Sequence, residues 1–239
     1  AAASMLAEVG ALDRVVARIG PFPSEYFSAD VNDAIAQIPE LVSDQGSTGG
    51  AVISLETVLD LQPDLYIGYE TETITRDDLA RFDIGLYVIP PYCDEPPAVS
   101  FESVYDEVRL YGQMFDRTEA AEAAANMLEQ DVEAVLAQPV ANGERAAALY
   151  VSSDGSAIYG YSRLGMVDVQ MTALGLANIY ADLPERVSEV SIESLIDGNP
   201  EVLILLYTDT DKTPEEITSL VADLPGAEAI SAIRNDRVY

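Results

Sequence analysis

The sequence predicts an α/β fold of two Rossmann-like lobes with mostly parallel sheets, joined by a single long helix. Three observations predict it. Short apolar runs alternate with helical segments, one segment has the apolar periodicity of a long helix, and one helix-to-strand unit occurs twice. The chain has 239 residues, of which 49% are hydrophobic, so it is large enough to bury a substantial core.

The N-terminal part of the sequence alternates between helices and strands. Helices are predicted at residues 4–9, 55–61 and 76–82, and strands at 14–19, 65–69 and 86–89. Because a helical segment separates each short apolar run from the next, the strands are expected to be mostly parallel and covered on both faces. A further helix is predicted at 101–115, where apolar residues recur on one face.

The long helix is predicted at 117–138. Its apolar residues recur every three or four positions and predict one buried stripe, formed by Ala121, Ala124, Ala125, Leu128, Val132, Val135 and Leu136. Asp116 is the predicted N-cap, with Glu119 completing a capping box, and the helix is expected to end before Pro139. The stripe of the preceding helix does not continue, so two helices are expected to meet at Asp116. An ordinary long surface helix is the alternative to a rigid spacer between lobes.

The alternation of helices and strands resumes after this helix. Strands are predicted at 146–151 and 201–207, and helices at 164–174, 192–196 and 214–222. The predicted organisation is an N-terminal α/β lobe at 1–115, a connecting backbone helix at 116–138 and a C-terminal α/β lobe at 139–239.

An internal match supports two similar lobes, because residues 53–67 align without a gap with residues 190–204. The identical positions are Ser54 and Ser191, Glu56 and Glu193, Asp60 and Asp197, Pro63 and Pro200, and Ile67 and Ile204. Each copy is predicted to be a capped short helix, a break at proline and a buried strand. The alternative is that unrelated helix-to-strand units converged on this pattern.

The composition argues against several classes of function. Forty-two acidic residues and twelve basic ones give a formal net charge of −30, which repels nucleic acid and anionic lipid. The sequence has no histidine, which is the commonest general base and metal ligand. We therefore expect no catalytic residue, no metal site, no bound cofactor and no enzyme activity. No signal segment is predicted in this sequence, because its first residues lack a basic region.

Aromatic residues and one arginine cluster where the predicted strands end. The candidate ligand-binding residues are Tyr69, Tyr92, Tyr159, Tyr161, Arg163 and Tyr207. The carboxyl ends of strands form the binding crevice of α/β sheets, and tyrosine and arginine can stack on a planar ligand and hydrogen-bond to its oxygens. Arg163 is the predicted partner of an anionic group. Any one of these residues, taken alone, is more often a half-buried packing residue, so the prediction rests on their convergence from both predicted lobes.

Four phrases of the sequence resemble one known family: SLETVLDLQPDLYIG, VRLYGQMFDRTEAAEAA, VSIESLIDGNPEVLIL and AIRNDRVY. This family is the ABC-importer substrate-binding proteins for iron complexes, haem and cobalamin, which are class III periplasmic binding proteins of the helical-backbone metal receptor superfamily. The resemblance covers nearly the whole chain. It departs at both ends, because members usually begin with a strand and continue with a helix after a phrase like NDRVY. This sequence also has no tryptophan, which many members contain.

The resemblance implies a function. A member would capture a ferric siderophore or similar metal chelate between two lobes and deliver it to an ABC permease dimer. It would act as a monomer outside the cytoplasmic membrane, in the periplasm or as a cell-surface lipoprotein. One glutamate on each lobe of such proteins engages arginines of the permease, and by motif these match Glu56 and Glu193. The alternatives are haem, cobalamin or another bulky cofactor-like ligand, a two-lobed enzyme, and a sensor or adhesin lobe without a permease.

Overall fold

The structure is a computed structural model that describes residues 2–20, 27–41, 44–45, 51–90, 93, 98–138, 141–152, 155–207 and 212–239. The helices are α1 (Ala2–Glu8), α2 (Ala29–Ala36), α3 (Leu55–Leu61), α4 (Arg76–Ala80), α5 (Phe101–Met114), α6 (Thr118–Leu136), α7 (Met166–Ala173), α8 (Ile192–Gly198), α9 (Pro214–Ala222) and α10 (Ser231–Arg234). The strands are β1 (Asp44–Gln45), β2 (Ala51–Val52), β3 (Leu65–Gly68), β4 (Gly85–Val88), β5 (Glu144–Val151), β6 (Ile158–Tyr161), β7 (Leu176–Asn178), β8 (Val187–Val190) and β9 (Val202–Leu206). The predicted α/β fold class is confirmed.

The chain divides into two compact units. Unit 1 comprises Ala1–Pro97 and Val104–Leu128, and unit 2 comprises Ala98–Ser103 and Glu129–Tyr239. The division falls within α6, after Leu128. Each unit is described separately below.

Unit 1 contains a pair of parallel strands. β3 and β4 run side by side from Leu65 opposite Gly85 to Gly68 opposite Val88, with α4 as the helix between them in the chain. Val58, Ile74, Leu79 and neighbouring apolar side chains form the core beneath these elements. Because the strands are parallel, both carboxyl ends lie at the same edge of the sheet.

The first predicted strand, at 14–19, is wrong. Leu12–Arg14 forms a 3-10 helix, and Arg18 makes only an isolated parallel bridge with Glu40. The alternating apolar pattern misleads here because Val16 remains 52% exposed while Ile19 packs against the core, so the segment does not bury its apolar residues as one strand face.

Helices α5 and α6 meet at Asp116, as predicted, but Asp116 does not cap α6. Its backbone is left-handed, with φ of 55°, and the Arg117 amide donates to the Gly112 carbonyl at 2.7 Å. This is the C-terminal turn that ends a helix, so Asp116 terminates α5, and α6 begins at Thr118. The predicted capping box is therefore wrong, because the chain needs a left-handed residue at this point.

The crossing of α5 and α6 depends on a small residue. A Cβ atom added to Gly112 would overlap the side chain of Ala121 and lie 3.2 Å from the Arg117 carbonyl oxygen. Gly112, Ala121 and Ala125 are all buried. The helices approach this closely because neither presents a bulky side chain at the contact.

We expect Gly112→Ala to lower the free energy of unfolding by about 1–3 kcal/mol, because the cost of overpacking exceeds the gain of roughly 1 kcal/mol in helix propensity. Denaturant unfolding measures this loss. In the double variant with Ala121→Gly, the loss should be smaller than the sum of the two single losses, because the overlapping methyl group is gone. Simple additivity would show that the close approach is not the cause.

The predicted buried stripe on α6 is correct only in the first half of the helix. Ala121, Ala124 and Ala125 are buried, whereas Val135 is 54% exposed and Leu136 is 39% exposed. Apolar periodicity predicts which residues share a face. It does not predict how far along the helix that face is covered.

Unit 2 contains a five-stranded sheet with β5 at its centre. β9 pairs with β5 in parallel from Ala146 to Tyr150, and β7 pairs in parallel with the first residues of β5. β6 pairs in antiparallel fashion with the last residues of β5, and β8 pairs in the same way with β6. β5 and β9 agree with the strands predicted at 146–151 and 201–207, whereas β7 and the antiparallel strands β6 and β8 were not predicted from the sequence.

The two faces of this sheet pack against different helices. Ala147 and Leu149 of β5 belong to a core shared with residues of α8, α9 and α10. Ala146 and Ala148 belong to a second core with Met171 of α7. This alternation follows from the pleat of the strand. Because β6 is paired with β5, the residues of β6 alternate between the same two faces.

The internal match corresponds to the same local structure in both units. Ser54 and Ser191 cap α3 and α8, accepting hydrogen bonds from the amides three residues on, at 3.1 and 3.2 Å. Both helices end on a left-handed residue, Gln62 with φ of 49° and Asn199 with φ of 38°, and each leads into a strand. The prediction of two corresponding helix-to-strand units is confirmed.

Candidate functional site

Three tyrosines lie together on the α7 side of the unit 2 sheet. Tyr150 of β5 is paired with Tyr159 of β6, and their ring centroids are 6.2 Å apart. Tyr161 follows on the same face of β6 and packs against the α7 core. All three are partly exposed. The structure therefore brings Tyr159 and Tyr161 together, as predicted, and adds Tyr150 to them.

Arg186 is the positive group of this tyrosine cluster, and the sequence analysis did not identify it. It directly precedes β8, whose first residue, Val187, is paired with Tyr161. Burial raises the pKa of the Tyr161 hydroxyl, and the charge of Arg186 opposes this rise. A Cβ atom on Gly165 would lie 3.1 Å from Cγ of Arg186, so the arginine stem crosses the start of α7 where no side chain intervenes.

The Arg186 guanidinium is half-buried and has no carboxylate within ion-pair distance in the part of the chain that the structure describes. A half-buried arginine of this kind can bind an anionic oxygen of a ligand.

Asn178 holds this part of unit 2 in place. Its side-chain amide donates to the Tyr161 carbonyl at 3.0 Å and to Asp168 of α7 at 2.7 Å, and its side-chain oxygen accepts from the Tyr180 amide at 2.9 Å. One residue at the end of β7 thus connects β6, α7 and the following turn. The tyrosine cluster is fixed by the strand ends and not by a loop alone.

Arg163, the predicted anion-binding residue, is on the surface. Its Nη1 lies 2.7 Å from Oδ1 of Asp182, and both side chains are largely exposed, at 64% and 84%. An exposed ion pair of this kind exchanges readily with water, so Asp182 does not prevent ligand binding. The role of Arg163 in ligand binding stays a prediction.

The other candidate ligand-binding residues have different positions. Tyr207 directly follows β9, whose last residue, Leu206, is paired with Tyr150, so it lies at the carboxyl end of the sheet in unit 2. Tyr69 follows β3 at the carboxyl end of the unit 1 strands. Burial raises the pKa of Tyr66, and Tyr69 adds to that rise. Tyr92 lies outside the described residues.

Unit 1 has a second polar group near the carboxyl end of β4, formed by Tyr87, Glu107 and Tyr111. The Tyr87 hydroxyl donates to Oε1 of Glu107 across 3.5 Å, and the Tyr87 and Tyr111 rings meet edge to face with centroids 5.6 Å apart. Burial raises the pKa of Tyr87 to about 12, and Glu107 contributes to the rise. Burial also raises the pKa of Glu107, against the effect of its bond with Tyr87.

Glu56 and Glu193 occupy the same place in the two capped helices, in the first turn after the N-cap serine. Both are exposed. The pKa of Glu193 is lowered by hydrogen bonds from its own amide and from the Ser191 hydroxyl, which favour the charged form. The structure thus places an exposed acidic side chain at corresponding positions of both units.

The described residues offer no group of three or more acidic or cysteine side chains arranged to hold a metal ion. Among the helices in the described ranges, none has both the length and the apolar character needed to cross a bilayer.

Comparison with known proteins gives a consistent set of similarities. A model of the periplasmic binding protein family matches residues 1–239. A crystal structure of an ABC-type Fe3+-hydroxamate transport system from Saccharomonospora viridis DSM 43017 is 37% identical, with a TM-score of 0.88, and the match covers 100% of this chain and 81% of that chain. The search of curated proteins returned no match.

More distant structures share the fold. The periplasmic heme-binding protein HutB of Vibrio cholerae is 16% identical, with a TM-score of 0.72, and covers 99% of this chain and 84% of its own. The periplasmic vitamin B12-binding protein BtuF of Vibrio cholerae is 20% identical, with a TM-score of 0.69, and covers 99% of this chain and 82% of its own. At this level of identity the similarity extends to the fold alone.

Proposed function

Since the chain belongs to the periplasmic binding protein family, we propose that it captures a ferric siderophore outside the cytoplasmic membrane and delivers it to an ABC importer. Members of the family are substrate-binding proteins of transport systems, and their location is extracytoplasmic. The ferric ligand is proposed because the relative from Saccharomonospora viridis, at 37% identity, is described as an Fe3+-hydroxamate transport protein.

The observation that carries the proposal is the cluster of Tyr150, Tyr159, Tyr161 and Arg186 in unit 2. Its partly exposed aromatic rings and half-buried guanidinium suit a bulky ligand with anionic oxygens, which is the chemistry of a ferric chelate. Arginine is needed for such a ligand, because the net charge of −30 would otherwise repel it. Tyr69, Arg163 and Tyr207 are proposed as further contacts.

The other ligand classes have less support. The structures described as binding heme and vitamin B12 are 16% and 20% identical to this chain, so they do not favour either ligand here. The chain has no histidine, and a bound haem would need tyrosine as its axial ligand or a complete coordination of its own. We also propose that the protein catalyses no reaction, which fits a family of transport proteins.

The permease is the proposed partner. We propose that Glu56 and Glu193 dock on its two subunits, one glutamate to each, and that the binding protein acts as a monomer with lobes at 1–115 and 139–239 joined by the helix at 116–138. Supporting this, the glutamates recur at equivalent positions of two similarly built helices and are exposed in both. A lipid anchor at the cell surface is proposed as one of two possible arrangements, the other being a free periplasmic protein.

Uptake of radioactive iron tests the proposed function. Cells that lack the gene should take up iron poorly from a ferric trihydroxamate, and restoring the gene should restore uptake, while uptake of ferric citrate should not change. Equal uptake of the trihydroxamate with and without the gene would contradict the proposal. If haem or cobalamin uptake depended on the gene instead, the transport role would hold with a different ligand.

A further inference from the structure

Glu189 lies on the same face of the unit 2 sheet as the tyrosine cluster. It is paired with Tyr159 across β8 and β6, which places the two Cβ atoms about 5 Å apart. The next residue, Val190, packs against the core on the opposite face of the sheet, so the alternation of the strand directs Glu189 to the tyrosine side. The carboxylate of Glu189 and the ring of Tyr159 can therefore contact the same group of a ligand.

Tyr150, Tyr159 and Glu189 follow one another across three neighbouring strands. Tyr150 is paired with Tyr159, and their rings are tilted by 45° with centroids 6.2 Å apart. Both tyrosines are partly exposed, so aromatic surface is accessible beside the carboxylate. This combination suits a protonated amine, because the carboxylate accepts its N–H donors and the ring faces attract its charge.

The charge of Glu189 is available to a ligand. The residue is exposed, and no arginine or lysine lies within ion-pair distance of it in the part of unit 2 that the structure describes. Arg186 precedes it by three residues, which is about 10 Å along an extended chain. The tyrosine cluster thus has a positive group and a negative group at two separate points beside it. A ligand placed on the cluster can present an anionic oxygen to one and a cation to the other.

We propose that Glu189, with the rings of Tyr159 and Tyr150, forms a subsite for a protonated amine, and that the chelate carried by this protein has a free ammonium group. This inference rests on the proposed function, and all the residues that it uses belong to unit 2. Because Glu189 is exposed, its ion pair with the ammonium group contributes only part of the attraction, and the aromatic rings contribute the rest.

Two ferric trihydroxamates provide a matched test, one with a free terminal ammonium group and one with the same amine acetylated. The parent protein should bind the ammonium complex more tightly. The net charge of −30 contributes to this preference, so the decisive quantity is the change in preference on substitution. Glu189→Gln should lower the preference about threefold, and Tyr159→Leu should lower it by a similar factor because the ring is lost. Equilibrium titration of each variant with both complexes measures these ratios.

A control variant separates the subsite from the general field of the protein. Glu215→Gln removes an equal charge from an exposed position on α9. This helix packs on the opposite face of the sheet through Val221, away from the tyrosine cluster. The preference for the ammonium complex should therefore stay as in the parent. An equal fall in Glu215→Gln and Glu189→Gln would show that only the net charge matters, and it would overturn the subsite.

The remaining outcomes separate this subsite from siderophore capture. Equal binding of both complexes by the parent, or an unchanged preference in Glu189→Gln, would overturn the subsite while leaving siderophore capture intact. If the parent binds neither complex, siderophore capture has failed, and a nitroxide that carries an ammonium group then tests the subsite alone. Relative to an uncharged nitroxide, it should broaden the ring resonances of Tyr159 more in the parent than in Glu189→Gln. Equal broadening in both proteins would overturn the subsite.

Discussion

Replacing both Glu56 and Glu193 by alanine should abolish importer-dependent uptake while leaving ligand affinity and melting temperature close to those of the parent. Both side chains are exposed, and in each helix the N-cap serine accepts a hydrogen bond from the amide three residues on, which does not involve the glutamate side chain. A carboxylate in the first helical turn contributes only about 0.3–1 kcal/mol to stability. Uptake, affinity and melting temperature should be measured on the same preparation.

A matched control for this experiment is the double variant Asp60→Ala and Asp197→Ala. These residues also recur in the two units and are exposed on the same helices, so the control removes the same number of charges one turn away. It should retain most of the uptake. If the glutamate variant still supports uptake, or loses it only together with folding or ligand binding, Glu56 and Glu193 do not dock on the permease.

Replacing Arg186 by alanine should weaken binding of an anionic ferric chelate by about tenfold or more, which corresponds to ~1.4 kcal/mol. Arg186 is half-buried beside Tyr161 and has no carboxylate partner in the described residues, so its charge is available to the ligand. Arg163→Ala should have a smaller effect, because that side chain is 64% exposed and pairs with Asp182. Equilibrium titration followed by tyrosine fluorescence measures both affinities.

The comparison of the two arginine variants decides which of them contacts the ligand. An unchanged affinity in Arg186→Ala would move the site away from the tyrosine cluster. A larger loss in Arg163→Ala than in Arg186→Ala would favour the assignment made from the sequence. Melting temperatures should be compared at the same time, because the stem of Arg186 packs at Gly165 and its removal could loosen the start of α7.

Local signals predicted much of the fold. The predicted bounds 55–61 and 214–222 agree with α3 and α9, because Ser54 and Thr213 are capping residues that the sequence displays directly. The internal match predicted where each short helix ends, through the proline that follows Gln62 and Asn199, but not the left-handed backbone of these two residues. Such features depend on residues close in the chain, so they can be predicted from one sequence.

The antiparallel strands of unit 2 depend on distant pairing and could not be predicted in this way. β6 is short and contains Gly160, over which the ring of Tyr180 packs, so its sequence resembles a loop. β8 has only four residues. Because β8 was not predicted, nothing indicated that Arg186 would lie next to Tyr161. Tyr159 and Tyr161 were predicted as ligand-binding residues from the sequence, whereas Tyr150 of the same cluster was not.

The meeting of α5 and α6 shows a further limit. The change of apolar face indicated correctly that the helices separate at Asp116, but an aspartate before a helix also resembles an N-cap. Its left-handed backbone and the close contact of Gly112 with Ala121 are set by the packing of the two helices. A single sequence gives the break but not its geometry.

Native mass spectrometry of the purified protein tests the central claim most directly. The protein would be mixed with ferric trihydroxamates, haem and a corrinoid at equal concentrations, and the mass of the bound species would identify the ligand. We predict one ferric siderophore per protein chain, with no stable complex of haem or corrinoid. Selective binding of haem or corrinoid, or the absence of any ferric siderophore complex across the panel, would contradict the account.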